Sequence, residues 1–184
     1  LILKKMNKEK VSYFAGGCFW CTEAIFNQIT GVTKVQSGFS GGHIDNPSYY
    51  QVCSGSTGHA ETVKVFYDPL KVKFEELLNI FFNSHDPTTK DRQGNDIGNH
   101  YRSAIFYTDI HEKEVSEDFI LKLNKEKVFT NKIVTEIVEF KNFHLAESEH
   151  QNFYNNNQTQ PYCSFVIKPK LELLRKKNID LLKK

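Results

Sequence analysis

The sequence predicts an α+β domain of two layers, in which helices pack on a mixed β-sheet. Segments with strand and helix patterns alternate loosely along the chain. Some consecutive strands, such as 31–39 and 60–67, are joined by a loop alone, whereas consecutive parallel strands need a longer crossover. The length of 184 residues and the hydrophobic content of 39% are enough for one domain with a full core.

The composition excludes several classes of protein. Twenty-four basic and 22 acidic residues leave a net charge of +2, which gives no electrostatic basis for binding nucleic acid. There is no apolar run of about 18 residues that could span a membrane. Four cysteines are too few for a disulfide scaffold of this length, so we expect a reducing compartment. The expectation is a cytoplasmic monomer; because the chain does not begin with methionine, a removed leader is the alternative.

The first predicted element places a cysteine at the start of a helix. Residues 11–15 form a short apolar strand, Gly16-Gly17 allows a sharp turn, and helical spacing of apolar residues continues to residue 29. The N-terminus of a helix favours a thiolate, which is the nucleophilic form of cysteine. We therefore expect Cys18 to be a reactive thiol, with Phe19 and Trp20 walling an apolar pocket beside it.

Cys18 and Cys21 form a C-x-x-C pair, which allows two other interpretations. A zinc site would need a second pair of ligands at short spacing, and Cys53 and Cys163 are isolated, so zinc is disfavoured. A thioredoxin-like disulfide pair stays open, although Trp20 lies between the two cysteines instead of before them. Cys21 has an equally good interpretation as a buried thiol.

The remaining elements follow from periodicity and turn residues. Residues 1–10 are expected to be a loosely held arm, and residues 11–184 a single catalytic domain. Two long polar loops, which are usually functional in compact domains, are expected at 43–59, with a helical turn at 48–53, and at 85–102. Residues 144–164 are expected to be irregular. Further strands are predicted at 103–107 and 133–140, and helices at 73–84, 112–127 and 169–183.

An ordered series of short motifs resembles the A-type peptide methionine sulfoxide reductases over about residues 11 to 168. The motifs, in chain order, are Gly17-Cys18-Phe19-Trp20, Gly41-Gly42, Asn46-Pro47-Ser48-Tyr49, Cys53-Ser54-Gly55, Thr57-Gly58-His59-Ala60-Glu61, Tyr67-Asp68-Pro69, His85-Asp86-Pro87, Arg92-Gln93-Gly94-Asn95-Asp96 and Tyr101-Arg102-Ser103. Any one of them could arise by chance, but the ordered set is specific.

The resemblance implies a split βαβ (ferredoxin-like) core with a long irregular C-terminal segment. It also implies thiol-dependent reduction of methionine S-sulfoxide, free or in oxidised proteins and peptides. In that reaction Cys18 becomes a sulfenic acid, an intramolecular disulfide forms, and thioredoxin or another dithiol reductant recycles the enzyme. Phe19 and Trp20 would hold the substrate methyl group. No metal or bound cofactor is expected.

The resemblance also assigns polar site residues. It implies that Glu61 gives a proton to the sulfoxide oxygen, that Tyr49 and Tyr101 donate hydroxyl groups to the same oxygen, and that Asp96 holds the substrate main chain. From the residues alone, Glu61 would be a solvated strand residue, the tyrosines would serve packing, and Asp96 would form a turn.

Two groups of residues complete the expectations. Cys163 lies in a polar stretch that we expect to be mobile, so we predict that it resolves the Cys18 sulfenic acid, with Cys21 as the alternative. We treat Cys53 as unremarkable, and the three histidines of the loop motifs as makers of structural hydrogen bonds, namely His59, His85 and His100.

Two other functions stay open. A disulfide exchanger would use the C-x-x-C pair and would reduce disulfides without any sulfoxide. A non-catalytic peptide-binding module would keep the aromatic pocket and bind without turnover.

Overall fold

The computed structural model describes residues 9–183, where strands and helices alternate along the chain. The strands are β1 (Lys10–Gly16), β2 (Val32–Ser40), β3 (Ala60–Tyr67), β4 (Arg92–Gln93), β5 (Asp96–Ile97), β6 (Ser103–Tyr107), β7 (Glu136–Glu139) and β8 (His144–Leu145). The α-helices are α1 (Phe19–Phe26), α2 (Tyr49–Cys53), α3 (Phe74–Ser84), α4 (Ile110–Lys125), α5 (Phe153–Asn156) and α6 (Lys168–Lys177). Short 3-10 turns cover Asn99–Tyr101, Ser148–His150 and Ile179–Leu181, and a π-helical turn covers Cys163–Ile167.

The main sheet has the strand order β7-β6-β1-β3-β2-β8. Strand β1 is antiparallel to β3 and β6, and β2 is antiparallel to β3 and β8, while β6 and β7 are parallel. Strands β1 and β2, connected through α1, are therefore parallel with β3 between them. Strands β3 and β6, connected through α3, are likewise parallel with β1 between them. These two interleaved units make a ferredoxin-like core, so the predicted mixed sheet and α+β class are confirmed.

The side chains of β1 alternate between the two faces of the sheet, so this strand packs on both sides. Phe14 faces the helices, where its ring lies 5.1 Å from that of Phe26 and 5.2 Å from that of Phe81. Tyr13 faces the other side and stacks on Phe140 at 4.0 Å. The central strands are thus buried on both faces, and they hold the candidate catalytic residues at their ends in fixed positions.

Most predicted elements agree with the structure to within a few residues. The strands at 60–67 and 103–107 have the predicted bounds. Helix α4 begins two residues earlier than predicted, because the Asp109 side chain caps it by accepting from the backbone N–H of Glu112 at 2.9 Å. Of the predicted arm, residues 1–8 lie outside the described part. Glu9 accepts from the hydroxyl of Thr33, and Lys10 already pairs with Tyr67 in the sheet.

The C-terminal segment is more ordered than predicted. Residues 144–164 contain β8, a 3-10 turn, α5 and the start of the π-helical turn. The helix predicted at 169–183 ends earlier, at Lys177, and a separate 3-10 turn follows it. At its start it continues directly from the π-helical turn, and Cys163, Ile167, Leu171 and Leu174 form one buried stripe at helical spacing. Within residues 9–183, no helix is long and apolar enough to cross a membrane.

Candidate active site

Cys18 lies where β1 ends and α1 begins. It is the N-cap residue, and its carbonyl oxygen accepts from the backbone N–H groups of Cys21 (3.1 Å) and Thr22 (3.3 Å). The preceding Gly17 has φ +88°, and a Cβ there would lie 2.6 Å from Cγ of Gln93. Only glycine fits both restrictions. The predicted glycine turn therefore places the Cys18 thiol at the helix N-terminus, where it is 7% exposed.

Glu61 of β3 points toward the start of α1. Its side chain is 1% exposed, and its Oε2 accepts from the backbone N–H of Phe19 at 2.9 Å. Burial raises the pKa of this carboxyl to about 8, outweighing the opposite effect of the Phe19 hydrogen bond. Glu61 is therefore protonated at neutral pH, and a neutral carboxyl beside the thiol can act as an acid.

The Cys18 and Cys21 thiols form a pair. Burial raises the pKa of Cys18, and its hydrogen bonding with Cys21 and the nearby Glu61 charge raise it further. Hydrogen bonding with Cys18 lowers the pKa of Cys21 to about 7. Burial of the sulfur thus works against the thiolate that the helix N-terminus was expected to favour at Cys18.

Aromatic rings surround the residues that follow Cys18. The Phe19 ring is 1% exposed and lies 6.2 Å from Tyr49 and 5.6 Å from His150. Trp20 stacks on Phe153 at 3.7 Å, and its indole N–H donates to Nδ1 of His150 at 3.2 Å. His150 thus contacts both Phe19 and Trp20, the two residues predicted to wall an apolar pocket beside Cys18. His150 could not be predicted from local pattern, because it lies about 130 residues further along the chain, in a segment expected to be irregular.

Tyr49 and Tyr101 are half-buried and lie near Glu61. Burial raises the pKa of both phenols, and the Glu61 charge raises both further. The Cys18 charge adds to the effect on Tyr101, which places this ring close to the thiol as well. Both hydroxyl groups therefore keep their protons and can donate hydrogen bonds toward the space beside Cys18 and Glu61.

Asp96 has a partner in the C-terminal segment. Its Oδ2 accepts from the Tyr162 hydroxyl at 2.9 Å, and that hydroxyl lies 3.6 Å from Sγ of Cys21. Tyr162 was missed as a site residue; its position immediately before Cys163 is the signal that could have identified it. Asp96 thus lies at the edge of the Cys18–Cys21 pair and is hydrogen-bonded to Tyr162, the residue before Cys163.

Cys163 is buried, contrary to the mobile segment predicted for it. It is 0% exposed and begins the π-helical turn that leads into α6. Burial raises the pKa of its thiol, and the nearby Cys21 charge raises it further. The reason for the error is the buried stripe of α6, which extends upstream through Cys163 although the neighbouring residues are polar.

Cys53 and His100 lie inside the site, although neither was predicted there. One ligand atom from each and a carboxylate oxygen of Glu61 lie within 4.8 Å of one another.

The interpretation of the other two loop histidines as structural is confirmed. His59 accepts from the Gly42 N–H at 3.0 Å, and the two ring nitrogens of His85 bond the carbonyl of Phe81 and the hydroxyl of Ser103.

Comparisons with known proteins show which family this chain resembles. The sequence profile of the family described as "Peptide methionine sulfoxide reductase" matches residues 10–182. The peptide methionine sulfoxide reductase MsrA of Ruthia magnifica subsp. Calyptogena magnifica is 51% identical over 162 residues, which cover 88% of this chain and 96% of that protein. The reduced form of Mxr1 from Saccharomyces cerevisiae superposes with a TM-score of 0.77 at 32% identity, covering 85% of this chain and 90% of that one. Mxr1 in complex with Trx2 superposes with a TM-score of 0.55 at 25% identity, covering 79% and 85%.

Proposed function

The chain belongs to the peptide methionine sulfoxide reductases, oxidoreductases that reduce methionine sulfoxide, and we propose that it does so at the Cys18 thiol. The observation that carries this proposal is the placement of Glu61. Its carboxyl is protonated at neutral pH and bound to the N–H of Phe19, the residue after Cys18. An acid is thus fixed beside a thiol, as reduction of a sulfoxide requires.

The pocket residues bind and polarise the substrate. Phe19 and Trp20 contact the methyl group of the sulfoxide through their rings. Glu61, Tyr49 and Tyr101 donate hydrogen bonds to the sulfoxide oxygen, which makes the sulfur more electrophilic. This role is supported by the raised pKa of all three groups, since each must hold its proton in order to donate it.

The oxygen is transferred without a net change in protons. The Cys18 sulfur attacks the sulfoxide sulfur while Glu61 protonates the oxygen, and the thiol proton of Cys18 restores the acid. The sulfur–oxygen bond of the substrate breaks and the oxygen moves to the Cys18 sulfur as the bond between the two sulfurs breaks. Methionine leaves, and Cys18 becomes a sulfenic acid. The proton on the resting Cys18 thiol is therefore no obstacle, because the overall step uses it.

A second thiol then removes the sulfenic acid. Cys163 attacks the Cys18 sulfur, water leaves and a disulfide forms, with Cys21 as the competing thiol. A dithiol reductant of the thioredoxin type reduces that disulfide and restores both thiols. The complex of the related Mxr1 with Trx2 supports this partner. The four free cysteines of the chain support a cytoplasmic location.

Turnover of a peptide that contains methionine sulfoxide tests the proposal. With a dithiol reductant, the wild type should form methionine, and Cys18→Ser should not. The same proteins should be assayed on a disulfide substrate without sulfoxide, because the hydrogen-bonded Cys18–Cys21 pair also suits a disulfide exchanger. Disulfide reduction without methionine formation would select the exchanger instead.

A further inference from the structure

Three potential metal ligands from separate elements meet beside the catalytic carboxyl. Cys53 ends α2, Glu61 lies in β3 and His100 lies in the 3-10 turn before β6. A thiol sulfur, a carboxylate oxygen and a ring nitrogen from these residues all lie within 4.8 Å of one another. A tetrahedral zinc ion with bonds of about 2.0–2.3 Å separates its ligand atoms by about 3.3–3.8 Å. The three atoms therefore need to approach by about 1.5 Å at most, which side-chain rotations can supply.

Two of these side chains carry buried atoms without a partner. Glu61 is 1% exposed and His100 is 5% exposed. Within the described residues, neither Oε1 of Glu61 nor Nδ1 of His100 has a hydrogen-bond partner. Buried polar atoms are normally paired, so these two unpaired atoms show that both side chains have capacity for a further partner. A set of thiolate, imidazole and carboxylate is typical of zinc and chemically similar ions.

The backbone around the three ligands is held in place by other side chains. Nδ2 of Asn99 donates to the Gly55 carbonyl at 2.9 Å, which ties the 3-10 turn to the loop that follows α2. Arg102 donates from Nη1 to the Asn99 carbonyl at 2.9 Å and from Nη2 to the Gly58 carbonyl at 3.0 Å. The ligand-bearing segments are thus preorganised relative to one another, which lowers the cost of binding an ion.

We propose that Cys53, Glu61 and His100 form a reversible inhibitory site for a divalent ion of the zinc class. On binding, the Cys53 thiol and the Glu61 carboxyl each release a proton, and neutral His100 donates a lone pair. The two negative charges balance the ion, so the buried site is neutral overall. Water fills the fourth position. Cys53 is half-buried and gives the ion a path from solvent.

The bound ion displaces the proton of Glu61 and occupies its free oxygen, so the carboxyl can no longer act as the acid. The inhibition therefore rests on the proposed function. The ion has no part in the reaction itself. The expectation of a metal-free reaction is therefore compatible with this site, which would stop turnover instead of supporting it.

Binding is measured on a protein that has Cys53 as its single thiol, made by Cys18→Ser, Cys21→Ser and Cys163→Ser together. Titration with Co²⁺ should give one ion per chain, with the sulfur-to-cobalt charge-transfer absorption of a thiolate ligand, and Zn²⁺ should displace it. Adding Cys53→Ser should abolish that absorption. Adding Glu61→Gln or His100→Gln should weaken binding at least about tenfold. His111→Gln, which changes an exposed histidine of α4, is the matched control and should bind like its parent.

Inhibition is measured on proteins with all cysteines present, as methionine released in one turnover without dithiol, with and without Zn²⁺. The ratio of the two rates is compared within each variant, so that losses of basal activity cancel. Zinc should slow the wild type, and His100→Gln should need at least about tenfold more zinc for the same effect.

Missing sulfur-to-cobalt absorption, or binding unaffected by both Glu61→Gln and His100→Gln, would overturn the site. Equal zinc sensitivity in His100→Gln and wild type would place the inhibiting ion elsewhere and would also overturn it. Far-UV circular dichroism of each variant excludes unfolding as the cause of lost binding. No methionine release from metal-free wild type would instead count against the proposed function.

Discussion

The backbone N–H of Phe19 donates to Oε2 of Glu61 at 2.9 Å, and this bond joins the first turn of α1 to the central strand β3. It fixes the carboxyl beside the cysteine, and it leaves Oε1 of Glu61 as the oxygen without a partner in the described structure. One oxygen of the carboxyl thus positions the group and the other is available for the substrate.

Replacing Glu61 by Gln should lower the chemical rate and leave substrate binding nearly unchanged. The amide oxygen can still accept from the Phe19 N–H, so the shape of the site persists, but the acid is lost. A positioned acid contributes about 10²–10⁴-fold, and we expect a loss in that range. Single-turnover rates and binding constants separate the two effects. Weaker binding with an unchanged rate would assign Glu61 to docking.

The pH dependence should follow the same carboxyl. Glu61 has its pKa raised from 4.5 to about 8, so it is an acid below that pH and a carboxylate above it. We expect kcat/KM for sulfoxide to fall as the pH rises through about 8, and Glu61→Gln to lack this decline. An identical decline in Glu61→Gln would assign it to another group.

Folding stability provides an independent measurement of that pKa. A carboxyl whose pKa is raised by folding stabilises the folded state below its unfolded value, and this contribution is lost as the pH rises through the folded value. The free energy of unfolding of wild type relative to Glu61→Gln should therefore decrease between about pH 4.5 and 8. Urea unfolding of both proteins at several pH values gives this difference. A constant difference would show that the pKa of Glu61 is not raised.

Cys163→Ser should release one methionine per enzyme but recycle poorly with thioredoxin, and peptide mapping after one turnover should find a Cys18–Cys163 disulfide. Cys163 is buried in its π-helical turn, so this step requires the turn to open; π-helical turns are rare and occur frequently at functional sites. Cys21→Ser is the control and should recycle. A Cys18–Cys21 disulfide in the wild type would reverse the two roles.

Gly17→Ala should destabilise the protein more than Gly94→Ala. Both glycines have positive φ, which costs another residue about 1–2 kcal/mol. At Gly94 nothing lies within 4 Å of an added Cβ, whereas at Gly17 the side chain of Gln93 lies 2.6 Å away. Gln93 cannot easily move, because its amide bonds the backbone of Asp86 at both ends.

We expect Gly94→Ala to lose about 1 kcal/mol and Gly17→Ala at least about 2 kcal/mol, measured by urea unfolding. Gly17→Ala should also lose reductase activity, because the clash displaces the turn before Cys18. Equal losses of stability in the two variants would show that the contact with Gln93 does not matter.

Local pattern was sufficient to predict the central core and the position of the thiol. The strand at 60–67 alternates clearly, and the glycines before Cys18 mark the turn, so both follow from neighbouring residues. The burial of Glu61 could not be predicted in this way, because it depends on α1 and on aromatic rings from distant loops. Cys53 and His100 were missed for the same reason, since only the folded chain brings their loops together.

Trp20 is the single tryptophan of the chain, and it lies two residues after Cys18 in the wall of the proposed substrate pocket. Its ring stacks on Phe153 of α5, and its N–H is bonded to His150. All tryptophan fluorescence of the protein therefore comes from one residue, so every change in tryptophan emission reports on the first turn of α1, next to Cys18. Substrate entry, and any loosening of α5 from the pocket, can be followed in the unmodified protein without attaching a dye.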